Sequence, residues 1–137
     1  MLMIMAIQGS AGVLRDRITT QLTALPKQRV VTIDVSYVKD PGKRLVMLTS
    51  LLHHQRDVLN VVTGTETEAE IAFLRHAGAM FCHVRGPYSA RLRNIPGAMS
   101  PDDVVLVADS AGEPDWYLTA EEAFSEYLIR RRTRRAA

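Results

Sequence analysis

Short apolar runs alternate along the chain with longer segments of helical periodicity, and this alternation limits the possible folds more than any other feature. The first run, Met1 to Ile7, is apolar at every position, as expected of a strand that is covered on both faces of its sheet. Strands that alternate with helices form βαβ units, in which helices cover a mainly parallel sheet. We therefore predict an α/β domain of three layers with a mostly parallel sheet of about five strands. The predicted strands are Met1–Gln8, Val30–Val35, Val58–Val62, Ala79–Val84 and Val104–Ala108.

Caps, glycines and prolines mark where the helices begin and end. The first helix is predicted from Val13 to Pro26, where proline stops it. Its apolar stripe consists of Leu14, Ile18, Leu22 and Leu25. The second helix begins at Asp40-Pro41, an N-cap followed by proline at the first helical position, and runs to about His54.

Capping boxes predict the starts of the other two helices. Thr65-x-x-Glu68 and Thr67-x-x-Glu70 overlap, so either box can open the third helix, which ends at Gly78. Thr119-x-x-Glu122 opens the last helix. The inward face of that helix is predicted to consist of Ala123, Phe124, Tyr127 and Leu128. The proline-rich segment between Gly86 and Asp103 is predicted to be irregular.

The charges are unevenly distributed. The 137 residues include 17 Lys and Arg and 15 Asp and Glu, a formal net charge of +2. Five arginines lie in residues 130–137, the basic tail, and the remaining 12 basic and 15 acidic residues give −3. A mildly acidic body makes nucleic acid an unexpected partner except through the basic tail. Cations at the end of a helix also complement its dipole, so a solvated helix end explains the same arginines.

Length and composition predict one cytoplasmic domain over residues 1–137 without a membrane partner. The apolar runs are far shorter than the roughly 20 residues that cross a bilayer, and Met1 to Ile7 is too short for a secretory signal. The single cysteine, Cys82, lies in an apolar strand and is predicted to be a buried thiol. The spacing of the histidines predicts no metal site; they are His53, His54, His76 and His83.

The turn after the first strand is the first candidate site, because open α/β sheets bind ligands beyond the carboxyl ends of their strands. It reads Gly9-Ser-Ala-Gly12-Val-Leu-Arg15-Asp16-Arg17. A phosphate-binding loop needs glycines, a lysine for the outer phosphates and a hydroxyl for the magnesium ion. Leu14, Arg15 and Arg17 stand where a glycine, the lysine and the hydroxyl would be. The candidate nucleotide or anion contacts are Gly9, Ser10, Gly12, Arg15, Asp16 and Arg17, although a simple tight turn also explains the two glycines.

These residues resemble the deoxynucleoside monophosphate kinases of phages and bacteria, a family of P-loop kinases whose loop carries Gly-Lys-Asp-Thr. Leu14-Arg15-Asp16-Arg17 is similar to that motif, and Asp40-Pro41-Gly42-Lys43 is similar to the family's Asp-Pro-Leu-Lys. The family's Asp-Val-Arg corresponds to Thr63-Gly64-Thr65, and its Asn-Glu-Ala-Glu to Thr67-Glu68-Ala69-Glu70. Its strand ending in Arg-Pro corresponds to Val84-Arg85-Gly86-Pro87. The resemblance spans most of the chain and implies a P-loop kinase-like fold.

The resemblance implies a kinase scaffold whose catalytic groups have been replaced. Phosphoryl transfer depends on charge neutralisation by lysine, arginine and magnesium, and a planar guanidinium does not replace a lysine in a tight loop. We therefore predict a pseudokinase-like module that acts by binding an unidentified protein partner and binds nucleotide weakly or not at all. A phage-encoded effector or regulator is the setting that the resemblance implies.

The alternative is a divergent but active (deoxy)nucleoside monophosphate kinase that uses ATP and magnesium. In this case Arg15 takes the role of the lysine, and Asp16 or Asp34 helps to hold the magnesium ion. Asp40 and Lys43 contact the monophosphate, for which Asp34 is a further candidate. Trp116 and Tyr117 either close over a base or simply anchor their loop.

Overall fold

The computed structural model describes residues 2–9, 12–86 and 93–136. Within them the strands are β1 (Met3–Gln8), β2 (Arg29–Asp34), β3 (Val58–Thr63), β4 (Met80–Val84), β5 (Val104–Leu106) and β6 (Tyr117–Leu118). The helices are α1 (Val13–Thr23), α2 (Pro41–Leu51), α3 (Glu68–His76) and α4 (Ala120–Ala136). The basic tail is therefore the continuation of α4 as far as residue 136.

The described strands form one parallel sheet in the order β2-β3-β1-β4-β5-β6. We call the side at which the strands end the carboxyl edge, and the side at which they begin the amino edge. Helix α1 leads from β1 toward β2, whereas α3 leads from β3 across to β4. Because parallel crossovers are right-handed, connections that run in opposite directions cover opposite faces of the sheet.

Each face of the sheet has its own apolar core. On one face, Met5 and Ile7 of β1 pack with residues of α1 and α4, including Ile18 and Ala123. On the other face, Ile4 and Ala6 pack with Leu48 of α2 and Ile71 of α3. Ile95 and Ala98, which follow β4, belong to this second core. The structure thus confirms a three-layer α/β fold, with β1 buried at every position.

The described sheet contains one strand more than predicted. Strand β6 has only two residues, too few for an alternating or apolar pattern to reveal it. Helix α2 ends at Leu51 rather than near His54, since Leu52 has extended backbone. Helix α1 ends at Thr23, before Pro26, and its buried residues are Ile18 and Leu22, while Leu25 is buried just beyond it. Leu14 is 37% exposed and lies outside this buried stripe.

The predicted caps are largely confirmed. The Asp40 side chain accepts a hydrogen bond from Lys43 N at 3.0 Å, and Pro41 begins α2. Of the two overlapping boxes, Thr67 is the N-cap of α3 and accepts from Glu70 N. Gly78 follows α3 with a φ of +84°, which favours glycine. Thr119 and Glu122 exchange the two hydrogen bonds of a capping box at the start of α4.

Two buried polar side chains fasten the amino edge. Asn60, which is fully buried, donates to the carbonyl groups of Met3 and His53 and accepts from His53 N. The hydroxyl of Tyr127 accepts a 2.8 Å hydrogen bond from Ile4 N, so α4 satisfies a backbone group of the central strand. Among the described residues, no helix is long and apolar enough to pass through a membrane.

Candidate functional site

The carboxyl edge at β1 is where the fold places the predicted site. The helix after β1 covers one face, whereas the connections after its neighbours β3 and β4 cover the other. Open α/β sheets bind ligands in crevices at such a change of direction. Gly9, directly after β1, has a φ of +141°, and an added Cβ would lie 3.1 Å from Val84 Cβ. Both the backbone conformation at position 9 and the close approach of β4 thus require a glycine there.

The second glycine of the predicted loop is not demanded by its described surroundings. Gly12 is the exposed N-cap of α1 with extended backbone, and an added Cβ would meet no atom within 4 Å. Its carbonyl accepts the first helical hydrogen bond, from Asp16 N at 3.0 Å. Ser10 lies outside the described residues.

Arg15 folds back over the carboxyl edge instead of extending into solvent. Its side chain is 11% exposed, and Nη1 donates to the Gly9 carbonyl at 3.4 Å. Nη2 lies 4.0 Å from Oδ2 of Asp34, at the end of β2. Since β3 lies between β1 and β2, this one guanidinium spans the ends of two strands that are not neighbours.

Asp34 is the acidic group of this site. Its Oδ1 accepts from Ser36 N at 2.8 Å, and a Cβ on Gly64 would approach the same oxygen to 2.6 Å. Partial burial would raise the pKa of Asp34, but the hydrogen bonds from Ser36 and the charge of Arg15 hold that pKa below its ordinary value. Asp34 is therefore ionised at neutral pH and balances the charge of Arg15.

The other predicted site residues do not join this pair. Asp16 and Arg17 are exposed, and their side chains make no hydrogen bond or ion pair with another described residue. The carboxylate of Asp40 is used as the cap of α2, and Lys43 is exposed in the first turn of that helix. Of the candidates that the structure describes, only Gly9, Arg15 and Asp34 come together.

A buried ion pair that the sequence did not reveal lies beside Asp34. Arg44, with 3% of its side chain exposed, binds the fully buried Glu70 through Nε and Nη2, each at 2.9 Å. The remaining N–H groups of its guanidinium donate to the carbonyl groups of Val35, Val38 and Gly64. All five guanidinium donors are thus used, and the pair ties α2 and α3 to the loops after β2 and β3.

The charges of this pair stabilise each other. Burial would raise the pKa of Glu70, but hydrogen bonds from Arg44 and Thr67 hold that pKa below its ordinary value. The hydrogen bonds to Glu70 raise the pKa of Arg44. Both groups are therefore charged at neutral pH, and their role is to hold the loops that carry Asp34 and Gly64.

A polar side chain of β1 extends this edge, whereas that of its register partner on β4 turns away, toward the residue before β5. Gln8 and His83 are register partners, and both are buried. Gln8 Oε1 accepts from Thr65 Oγ1 at 3.0 Å, while its buried Nε2 has no hydrogen-bond partner among the residues that the structure describes. His83 Nε2 lies 2.7 Å from Oδ2 of Asp103. The signal in the sequence was a polar residue within an otherwise apolar strand, seen at both Gln8 and His83.

The remaining candidates lie away from the carboxyl edge or in the core. Cys82 is fully buried, as predicted, and burial raises the pKa of its thiol. Trp116 is 72% exposed and packs edge-on to Tyr117 with 6.0 Å between ring centroids. Because Tyr117 begins β6, Trp116 lies at the amino edge, on the other side of the sheet from Gly9. Within the described part of the chain, no three or more His, Cys, Asp or Glu residues are grouped as a metal site.

The arrangement at the carboxyl edge can hold one anion if Arg15 exchanges Gly9 and Asp34 for it. Arg15 can equally keep its contacts with Gly9 and Asp34, because its positive charge already has a negative partner in Asp34. Comparisons with known proteins do not decide between these states. No protein-family model, no curated protein and no solved structure matches the chain.

Proposed function

We propose that this chain is a pseudokinase-like binding domain that acts through a protein partner and does not catalyse phosphoryl transfer. The observation that carries the proposal is the position of Arg15, the residue that stands in place of the catalytic lysine. Its guanidinium is turned toward the protein's own Gly9 carbonyl and Asp34 carboxylate. A group that must neutralise developing charge on a phosphate cannot do so while it neutralises a carboxylate of the protein.

Exposed apolar side chains beside this pair support a protein partner. Val13 and Leu14, in the first turn of α1, are 86% and 37% exposed, and Tyr37, after β2, is 67% exposed. Apolar and aromatic side chains are typical of the centre of protein interfaces. The setting of a phage effector or regulator rests on the family resemblance alone.

A divergent active kinase is the second candidate, and two observations favour it. The contacts of Arg15 are long, at 3.4 and 4.0 Å, so little energy opposes its release. Gln8 Nε2, at the same edge, is a buried donor that no described residue satisfies, and a ligand there would satisfy it. ATP and magnesium would then be the cofactors, with Asp34 beside the magnesium ion.

Phosphoryl transfer from ATP and magnesium to each of the four common deoxynucleoside monophosphates distinguishes these candidates. We expect no turnover by the parent or by Arg15→Lys. Turnover above roughly 1 s⁻¹, the low end for kinases, that is lost in Arg15→Gln but kept in Arg17→Gln would overturn the proposal. Arg17 is the matched control because it is exposed on the same helical turn.

The partner is tested by affinity capture from cells of the source organism. We expect a protein that is retained by the parent and by Ile129→Asp, and lost with the double variant Val13→Asp/Tyr37→Ala. Ile129 is 54% exposed on α4 and controls for the loss of any surface apolar group. Equal retention by all three proteins would contradict a partner surface at the carboxyl edge.

A further inference from the structure

A cavity of about 410 Å³ lies at the opposite side of the sheet, at the amino edge of β4. Its walls come from the end of α3, the start of β4, the residues before β5 and the last turns of α4. The polar side chains that line it include Arg75, Ser100, Asp103, Arg130 and Arg131. Its volume is within the range of about 300–1,000 Å³ that is typical of small-molecule sites.

One wall of the cavity is a fixed guanidinium. Arg75 Cζ lies 3.7 Å from the ring centroid of Phe81, and Nε donates to the Gly97 carbonyl at 3.0 Å. Nη1 and Nη2 bind the two oxygens of Asp103 at 2.6 and 2.8 Å. Nη2 also donates to the Ala98 carbonyl at 3.5 Å. Stacking and these four hydrogen bonds leave this side chain little freedom.

Two acidic residues line the cavity: Asp102 is exposed, and the carboxylate of Asp103 is already saturated with hydrogen bonds. Besides Arg75, the Asp103 carboxylate contacts His83 Nε2 at 2.7 Å and accepts from Ser100 N at 2.9 Å. Only 5% of the Asp103 side chain is exposed. The negative charge of Asp103 is thus balanced by groups of the protein and does not oppose an anion in the cavity.

The opposite wall carries guanidinium N–H groups that donate to none of the described residues. Arg130 Nε binds Glu126 at 3.0 Å, and Nη1 donates to the Asp102 carbonyl at 2.8 Å. These bonds position the side chain but use only two of its five N–H groups. Arg131 lies with Cζ 5.7 Å from the Tyr127 ring centroid, and it makes no hydrogen bond or ion pair with a described residue.

We propose that this amino-edge cavity binds a small ligand through a phosphate group, held by Arg130 and Arg131. The planar guanidinium matches phosphate oxygens with paired N–H donors. A helix end that served only solubility would leave its arginines extended, whereas Arg130 is fastened to the residues before β5. The site is independent of the proposed function, because it lies at the other edge of the sheet from Arg15.

Isothermal titration of the purified chain with inorganic phosphate and with pyrophosphate tests the proposal. We expect one site per chain for at least one of these probes, and at least about tenfold weaker binding for Arg131→Gln and for Arg130→Gln/Arg131→Gln. Arg132→Gln is the matched control, since Arg132 is the exposed next residue of α4 and does not line the cavity. It should bind the same probe within about twofold of the parent, a difference far below that of one lost charged hydrogen bond.

Three results would overturn the proposal. No binding of either probe means that the arginines are only solvated. If Arg132→Gln weakens the binding of the probe as much as Arg131→Gln does, and a short oligonucleotide binds tightly, then the arginines form a diffuse surface for polyanions and not a cavity site. Loss of phosphate binding in Arg15→Gln, with Arg131→Gln unaffected, places the anion at the carboxyl edge. Because Arg131 makes no hydrogen bond or ion pair with a described residue, its variant remains informative if Arg130→Gln disturbs folding.

Discussion

Replacing Arg44 by methionine tests whether the buried ion pair holds the carboxyl edge together. The substitution keeps the apolar length of the side chain and removes all five hydrogen bonds of the guanidinium. It leaves Glu70 buried and charged, with only the hydrogen bonds from Thr67 and from Glu66 N. Removing one partner of a buried pair in this way costs about 3–5 kcal/mol.

That loss is large compared with the stability of an ordinary domain, which is about 5–15 kcal/mol. With a urea dependence of about 2 kcal/mol per molar, the unfolding midpoint of Arg44→Met should fall by roughly 1.5–2.5 M. The double variant Arg44→Met/Glu70→Leu removes the uncompensated charge. It should be more stable than the single variant, because an apolar pair often replaces a buried ion pair without loss.

The exposed pair of Arg29 and Asp57 provides the control. Both side chains are 66% exposed, and the atoms of the ion pair are 3.4 Å apart. Arg29→Met should therefore lower the free energy of unfolding by less than about 1 kcal/mol. If Arg44→Met destabilises the protein no more than Arg29→Met does, the reasoning about this pair is refuted.

Three further predictions concern pH, the central strand and the basic tail. Because the folded pKa values of Glu70 and Asp103 lie below their unfolded values, the stability that these groups contribute is present above about pH 4 and is lost as the pH falls through the folded values. The melting temperature should therefore be constant from pH 7 to pH 5 and should fall below pH 4. A fall that begins near pH 6 would contradict this assignment. Tyr127→Phe leaves Ile4 N without its acceptor and should cost about 1–3 kcal/mol in urea unfolding, whereas an unchanged midpoint would show that the bond contributes nothing. Deleting residues 130–137 should leave a cooperative thermal transition, because Tyr127 is the last buried residue of α4 among those whose side chains are described; a broad, non-cooperative melt would show that the tail is structural.

The elements that the sequence predicted correctly are those with local signals. An apolar run identifies β1 because every one of its residues is covered, and the caps at Asp40, Thr67 and Thr119 act within their own helical turn. Leu14 was misassigned because helical spacing does not show where a helix extends beyond the sheet that it covers.

The candidate site was less predictable because its contacts join distant parts of the chain. Arg44 and Glu70 are 26 residues apart and, in sequence, look like ordinary solvated charges on two helices. Only the strand order brings α2 beside α3 and buries them. Arg15 and Asp34 were each named as candidates, but their pairing depends on α1 crossing the end of β3. The kinase resemblance, the partner and the nucleotide remain predictions.

The central position of β1 has a consequence for synthesis of the protein. This strand precedes both of its neighbours in the chain, because β3 begins at Val58 and β4 ends at Val84. At about 5–20 residues per second, the ribosome needs roughly 4–15 s to add residues 9–84. Throughout that interval the nascent chain carries an apolar strand that no partner strand covers on both sides. β1 is therefore the segment on which we expect chaperones to act during synthesis, and the segment through which stalled or truncated chains would aggregate.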